Sequence, residues 1–234
     1  METKLALPKQ FRKYVEPRLP PDIEPAWYVD SDDSIPAVKG ATAIWLSFNQ
    51  RAAIAATLHS GRQLRWVSTH AAGVETFPLE LFRERRIELT SGAGIGSVPV
   101  SEFVVLGMLA AAKNFPAFVR AQDLRQWPTR PPGSLELADT RALIVGYGHI
   151  GQAVANRLRS FEVDVVGVRR HPHLQSGDLG HDEWRGQLGR FNWIILTAAL
   201  TNETRHLIGA RELGLMRSDA WVVNVGRGGL CARH

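Results

Sequence analysis

Three glycines with the spacing G-x-G-x-x-G are the residues of this sequence whose pattern most directly indicates a chemical function. They are Gly146, Gly148 and Gly151, within LIVGYGHIGQAVANRLRSF. In such a pattern the first glycine permits a tight turn, the second lets the backbone approach a pyrophosphate, and the third allows close helix–strand packing. The helix that follows supplies N–H donors and a positive dipole end. The pattern favours dinucleotide binding, and a purely structural strand–helix turn is the alternative.

The end of the next strand indicates which dinucleotide would be bound. An acidic residue about twenty positions beyond the glycines would bind the adenosine ribose hydroxyls. This sequence instead has Arg169 and Arg170, followed by His171 and His173. A guanidinium pairs with a 2′-phosphate through two hydrogen bonds, whereas a carboxylate would repel it. The sequence therefore favours NADP(H) over NAD(H), and the alternative is that these arginines are solvated charges at a strand end.

Composition and charge argue against several other classes. The content of 44% hydrophobic and 22% charged residues is typical of a soluble globular protein. The longest apolar run, 103–112, is too short for a membrane span, and the N-terminus has no secretory pattern. A single cysteine, Cys231, allows no internal disulfide or thiolate metal site, which favours a cytoplasmic protein without a metal. The net charge of +5 is scattered without a basic stripe, so nucleic acid is not the expected partner.

Two series of alternating strands and helices must position these residues. Such alternation predicts parallel sheets covered on both faces. A glycine-rich stretch at 91–103 separates the series, which predicts domains at 1–97 and 98–234. In the first, strands are expected at 4–7, 25–29, 41–46, 64–68 and 87–90, and helices at 8–18, 50–59 and 79–85. In the second, strands are expected at 142–145, 163–168, 193–197 and 221–224, and helices at 100–113, 116–126, 149–160, 182–189 and 210–216.

Four ordered segments of the sequence resemble the D-isomer-specific 2-hydroxyacid dehydrogenases. They are WVSTHAAGVE (66–75), SVPVSEFVVLGMLAAAKN (97–114), LELADTRALIVGYGHIG (135–151) and the region 196–230. The resemblance implies an α/β protein with a flavodoxin-like substrate domain and a Rossmann dinucleotide-binding domain. It also implies reversible hydride transfer between a nicotinamide cofactor and a small 2-keto or 2-hydroxy acid. Members of the family form homodimers through the long helices of the cofactor domain.

The same resemblance assigns roles to individual residues. Arg227, in NVGRGG, would bind and polarise the carboxylate and keto oxygens of the substrate, for which a permanently charged planar group is suited. Ala72 and Gly73 would hold the substrate carboxylate through their backbone N–H groups. The remaining residues would bind the cofactor: His149 and Ile150 at the pyrophosphate, Ala198, Ala199 and Thr204 beside the third strand of this series, and Val225 and Gly226 at the nicotinamide ribose.

The family also has a glutamate and a histidine well beyond this arginine, and these 234 residues contain no counterpart of either after Arg227. His234 is too close to Arg227 to take that role. We therefore expect a truncated Rossmann domain lacking its last two strands, low stability, and no activity from the chain as it stands. The segment 231–234 is expected not to belong to the fold, through a frameshift, a premature stop or a gene-model artefact. A non-catalytic dinucleotide-binding protein and a pseudogene product are the alternatives.

Overall fold

The computed structural model describes residues 3–170 and 177–232 of the chain. It divides the chain into two units, Met1–Ile95 and Gly96–His234. The domain limits drawn from the sequence, 1–97 and 98–234, stay predictions. His171, His173 and His234 lie outside the described residues.

The first unit is built on a parallel sheet of five strands in the order β2-β1-β3-β4-β5. This 2-1-3-4-5 order is the flavodoxin-like one, which confirms the predicted fold class for this unit. The strands are β1 Thr3–Pro8, β2 Ile23–Tyr28, β3 Ala43–Leu46, β4 Trp66–Thr69 and β5 Glu88–Thr90. The helices are α1 Arg12–Val15, α2 Ser31–Ala37, α3 Arg51–Ser60 and α4 Leu79–Glu84.

Two helical segments of this unit differ from the prediction. The segment 8–18 is not one helix, because α1 has four residues and is flanked by short 3₁₀ turns at Lys9–Phe11 and Glu16–Arg18. Helix α2 was not predicted, since its sequence SDDSIPA is polar and contains a proline. Asp30 caps it by accepting hydrogen bonds from the N–H groups of Asp32 and Asp33. Local capping thus formed a helix that hydrophobic periodicity does not reveal.

The second unit is built on a parallel sheet of four strands in the order β7-β6-β8-β9. The strands are β6 Arg141–Val145, β7 Asp164–Val168, β8 Trp193–Leu196 and β9 Trp221–Asn224. The helices are α5 Ser97–Ala112, α6 Phe115–Asp123, α7 His149–Arg159 and α8 Ala210–Leu215. The predicted helix at 182–189 is instead a 3₁₀ segment, Arg185–Arg190.

Apolar side chains cover both faces of this second sheet. Strand β6 alternates, so Ala142 and Ile144 pack with α5 and α7 while Leu143 and Val145 pack on the opposite side with Trp184. A parallel sheet buried on both faces is what the sequence predicted. Among the described residues, no single helix is long and apolar enough to span a membrane. Helices α5 and α6 meet that measure only as a pair, bent by 70°.

A single parallel bridge joins Val168 at the end of β7 to Leu179. The amide N–H of Arg169 donates to the Leu179 carbonyl (3.0 Å), and the Leu179 N–H donates to the Gly167 carbonyl (2.8 Å). In the six-stranded order 3-2-1-4-5-6, Leu179 lies where strand 3 would lie, beside β7. Among the described residues, the second sheet thus has four strands and a single-residue bridge at its β7 edge.

The segment after Leu230 was expected not to belong to the fold, and its described residues contradict that. Cys231 forms a parallel bridge with Ile208. The Ala232 N–H donates to the Ile208 carbonyl (2.9 Å), and the Ile208 N–H donates to the Leu230 carbonyl (3.0 Å). These backbone bonds incorporate residues 231 and 232 into the second unit, which the residue types alone could not show.

Candidate functional site

The glycine turn adopts a backbone that requires its first and third glycines. Gly146 has φ +101°, and a Cβ added there would lie 2.6 Å from the Ala198 Cα. A Cβ added at Gly151 would lie 2.6 Å from the Gly146 carbonyl oxygen. The Thr197 hydroxyl also donates to the Gly146 carbonyl (2.6 Å), so β8 fixes the turn that follows β6. These two glycines are needed for packing, whether or not a ligand binds.

Gly148 differs, because a Cβ added there would meet no heavy atom within 4 Å. It is the N-cap of α7, and the Gln152 N–H donates to its carbonyl (2.9 Å). The N–H groups of His149, Ile150 and Gly151 precede this first intrahelical bond, as those of the first helical turn always do. Open space beside a glycine, in front of a helix N-terminus, is what a dinucleotide pyrophosphate requires. The residues present therefore fit the group that the sequence predicted.

A cavity of about 210 Å³ lies at the carboxyl ends of β6, β7 and β8. It brings together six of the predicted cofactor residues, which come from three separate loops. These are Gly146, Arg169, Arg170, Ala198, Ala199 and Thr204. The carboxyl ends of parallel strands are where ligands bind in open α/β sheets.

Arg169 lies in this cavity wall in a largely buried ion pair. Its Nε is 2.7 Å from Oδ2 of Asp178, whose side chain is only 5% exposed. The Asp178 Oδ1 accepts a hydrogen bond from the Gly167 N–H (3.3 Å). The guanidinium carbon lies 4.5 Å from the centroid of the Tyr147 ring, within the range of a cation–π contact. Arg169 is thus not a simply solvated charge.

Arg170 lies in the same wall in an exposed ion pair. Its Nη2 is 2.7 Å from Oε2 of Glu203, and the two side chains are 68% and 65% exposed. Such pairs contribute about 0–1 kcal/mol because water competes for both charges. Arg170 can therefore exchange its partner at low cost, whereas Arg169 cannot.

The loop after β8 carries Ala198, Ala199 and Thr204. The Thr204 hydroxyl donates to the Ala199 carbonyl (2.7 Å) and accepts from the Thr201 N–H (2.7 Å). These bonds close the loop on itself, so Thr204 shapes this wall of the cavity through its hydroxyl. The family resemblance predicts Thr204 as a cofactor residue, but only the structure shows which groups its hydroxyl contacts.

Val225 and Gly226 follow β9 and lie against the same loop. The Val225 N–H donates to the Leu196 carbonyl (3.1 Å). A Cβ added at Gly226 would lie 2.9 Å from the Ala198 carbonyl oxygen and 2.7 Å from Leu230 Cδ1. Ala198 is therefore enclosed between Gly146 and Gly226, and a larger backbone separation would be needed if either glycine carried a side chain.

Arg227 is exposed at the start of a 3₁₀ turn, Gly228–Leu230. Asn224 fixes this turn, since its Nδ2 donates to the Arg227 carbonyl (3.0 Å) and its Oδ1 accepts from the Gly226 N–H (3.1 Å). The Arg227 Nη1 donates to the Gly226 carbonyl (3.0 Å). The backbone at Arg227 is thus held by a side chain that the sequence analysis did not single out.

Ala72 and Gly73 lie in the first unit, in the loop after β4. Ala72 is exposed and Gly73 is half-buried. The loop is tied at its start, because the Ala71 N–H donates to the Thr69 hydroxyl (3.2 Å) and its carbonyl accepts from Gly92 (3.0 Å). The two residues proposed to hold a carboxylate therefore follow an anchored residue.

Sequence reasoning missed three residues that shape the site in the second unit. Thr197 clamps the glycine turn, Asp178 pairs with Arg169, and Tyr147 stacks beneath the same guanidinium. Tyr147 is the second residue of the fingerprint, so its place was available from the motif. Asp178 gave no such signal, since it is nine residues beyond Arg169 and outside any strand.

The chain is similar in sequence to several known proteins. Residues 105–234 match a family described as the NAD-binding domain of D-isomer specific 2-hydroxyacid dehydrogenases. D-3-phosphoglycerate dehydrogenase of Methanocaldococcus jannaschii is 28% identical over 177 residues, which are 74% of this chain and 34% of that protein. A relative from Staphylococcus aureus is 26% identical over 207 residues, 86% of this chain and 65% of its own length. The chain thus spans less than two thirds of the length of these curated relatives.

The solved structures show the same fold. A D-isomer specific 2-hydroxyacid dehydrogenase family protein from Aeromonas salmonicida superposes with a TM-score of 0.85 at 23% identity, over 99% of this chain and 75% of that one. At this identity the likeness concerns the fold alone, whereas the family match covers more than half of the sequence. The chain belongs to the D-isomer specific 2-hydroxyacid dehydrogenases.

Proposed function

We propose that this chain binds a nicotinamide dinucleotide and a small 2-keto or 2-hydroxy acid, and that it serves hydride transfer between them. The observation that carries the proposal is the glycine turn, in which Gly148 leaves open space in front of the α7 N-terminus. Gly146 and Gly151 hold that turn against β8, so the opening has a fixed shape. A turn that served only to connect β6 to α7 would not need open space beside Gly148.

Each part of the site has a definite task in this reaction. When bound, a nicotinamide dinucleotide would supply or accept the hydride. The N–H groups of His149 and Ile150 would bind its pyrophosphate. Beside β8 the dinucleotide would be lined by Ala198, Ala199 and Thr204, and its nicotinamide ribose would lie against Val225 and Gly226. Arg227 would bind the carboxylate and polarise the keto oxygen, because a planar, charged guanidinium can contact two oxygens at once. In the first unit, Ala72 and Gly73 are proposed to bind a substrate carboxylate through their backbone N–H groups.

The proposed cofactor is NADP(H) rather than NAD(H). Arg169 and Arg170 both line the cavity at the end of β7, where an acidic residue would serve an unphosphorylated ribose. The exposed Arg170 can turn to a 2′-phosphate, and the buried Arg169–Asp178 pair keeps a second guanidinium in the wall. Titrating the chain with NADPH and NADH tests this preference. Equal affinities, or tighter binding of NADH, would contradict it.

Turnover distinguishes this proposal from its alternative, a dinucleotide-binding module without catalysis. That alternative remains because no residue of these 234 is assigned as the proton donor. NADPH oxidation is followed with glyoxylate and with hydroxypyruvate, and the Arg227→Gln variant is the matched control. Turnover that the variant loses supports the dehydrogenase. Cofactor binding without turnover supports the module, and the absence of any binding refutes both.

The family resemblance implies a homodimer, and we propose that in this chain a second copy covers α5. One side of this helix packs in the core through Val104 and Met108. Its other side exposes Phe103 (66%) and Leu106 (60%), and Phe115 at the start of α6 is 56% exposed. A helix that is apolar on all sides is normally buried on all sides. Large exposed apolar patches are typical of protein interfaces.

A further inference from the structure

Two acidic residues neutralise the two arginines of the cofactor cavity, and they do so in different ways. Asp178 is buried and pairs with Arg169, and it also accepts the Gly167 N–H. Glu203 is exposed and pairs with Arg170. Both Arg170 and Glu203 line the same cavity. A phosphate that enters beside Arg170 must therefore either displace Glu203 or lie next to its charge.

We propose that Glu203 is a specificity-determining residue that competes with the 2′-phosphate of NADP(H) for Arg170. The inference rests on the proposed dinucleotide site. With Glu203 paired to Arg170, the cavity offers no unbalanced positive charge from these four side chains. NADH binds without disturbing this pair. NADPH has to break it, and the phosphate then takes the place of the carboxylate on the guanidinium.

The loop that carries Glu203 keeps its carboxylate near the cavity even after the pair with Arg170 is broken. Thr204, the next residue, is held by its hydroxyl bonds to Ala199 and Thr201. The backbone of Glu203 therefore stays beside the cavity when its side chain is displaced. A displaced carboxylate in this position continues to repel the phosphate, so its negative charge lowers NADPH affinity even after the pair is broken.

The Glu203→Gln variant tests the inference, because it removes the charge and keeps the shape. We expect NADPH to bind about fivefold more tightly, the upper range for an exposed ion pair, and NADH to change less than twofold. In the Arg170→Gln background the same substitution should give a clearly smaller gain, since there is no guanidinium to release. Asp219→Asn is the control, because Asp219 also pairs with an exposed arginine, Arg217, in the same unit.

Calorimetric titration of each variant with NADPH and with NADH separates the outcomes. A Glu203→Gln variant with an unchanged NADPH-to-NADH affinity ratio overturns the inference, while the dinucleotide site itself stands. Equal tightening of both cofactors also overturns it, since that would be a general charge effect. If the original chain prefers NADH but the variant shifts towards NADPH, the proposed cofactor preference fails and the inference stands. If neither cofactor binds any variant, both proposals are refuted.

Discussion

Replacing Gly148 with alanine tests whether the glycine turn serves a ligand or only the fold. An added Cβ meets no heavy atom within 4 Å, and the residue already has negative φ (−85°). Alanine is a poorer N-cap than glycine by about 0.5–1 kcal/mol, but it also lowers the entropy of the unfolded chain by a comparable free energy. The free energy of unfolding should therefore change by less than about 0.5 kcal/mol.

The other two glycines of the motif should behave differently. Alanine at Gly146 has to adopt φ +101°, and its Cβ would lie 2.6 Å from the Ala198 Cα. This clash can be relieved only by a shift of the backbone. We expect a loss of stability of about 3 kcal/mol or more. Alanine at Gly151 approaches the Gly146 carbonyl oxygen to 2.6 Å, and its cost should be about 1–3 kcal/mol.

Urea unfolding and fluorescence titration with NADPH measure the two effects separately. The Gly148→Ala variant should unfold like the original chain and bind NADPH at least about tenfold more weakly, because the new methyl group occupies the space of the pyrophosphate. Gly214→Ala, at an exposed position of α8 with open space around it, is the control, and it should leave binding unchanged. Undiminished NADPH binding by Gly148→Ala would refute the reasoning that the backbone must approach the ligand there.

Three further predictions concern stability and assembly. Burial alone would raise the pKa of Glu212, but hydrogen bonds from the Gly209 N–H, its own backbone and Arg185 outweigh this, so its pKa lies below the usual value. The ionised Glu212 adds to the free energy of unfolding at pH values above its pKa in the unfolded chain. This addition is lost as the pH falls through its pKa in the folded chain. Glu212→Gln should therefore cost about 1–2 kcal/mol at neutral pH and reduce the acid sensitivity in urea unfolding, unlike the exposed Asp219→Asn. The buried Tyr28 hydroxyl donates to the Trp45 carbonyl (2.6 Å) and accepts from the Ser47 N–H (3.1 Å). Tyr28→Phe should therefore lower the free energy of unfolding by about 1–2 kcal/mol, measured by thermal or urea unfolding. An unchanged unfolding midpoint would contradict this. Phe103→Glu should dissociate the proposed dimer into folded monomers, as measured by sedimentation. If the chain without this substitution is already a monomer, the proposed interface is ruled out.

Two kinds of feature could be predicted from the sequence: turns set by local backbone requirements, and the alternation of strands and helices along the chain. The glycine spacing located the turn before α7, because a positive φ and close packing are demands that few other residues meet. Alternating strands and helices predicted two parallel sheets, and strand β9 has the predicted bounds, Trp221–Asn224. Helix α2 was missed since its stability comes from the Asp30 cap and a buried Ser34–Thr57 hydrogen bond rather than from an apolar stripe.

By itself, the sequence determined the position of the glycine turn before α7 and predicted that the two arginines after β7 lie at a cofactor site. The tertiary structure alone decided what those arginines contact. Asp178 and Glu203 reach them from positions 9 and 33 residues away, and no local pattern encodes such pairs. The physical reason is that charge pairing depends on which loops the sheet order brings together. That order places the loops after β6, β7 and β8 around one cavity, where one arginine is locked by a buried carboxylate and the other is held by an exposed one.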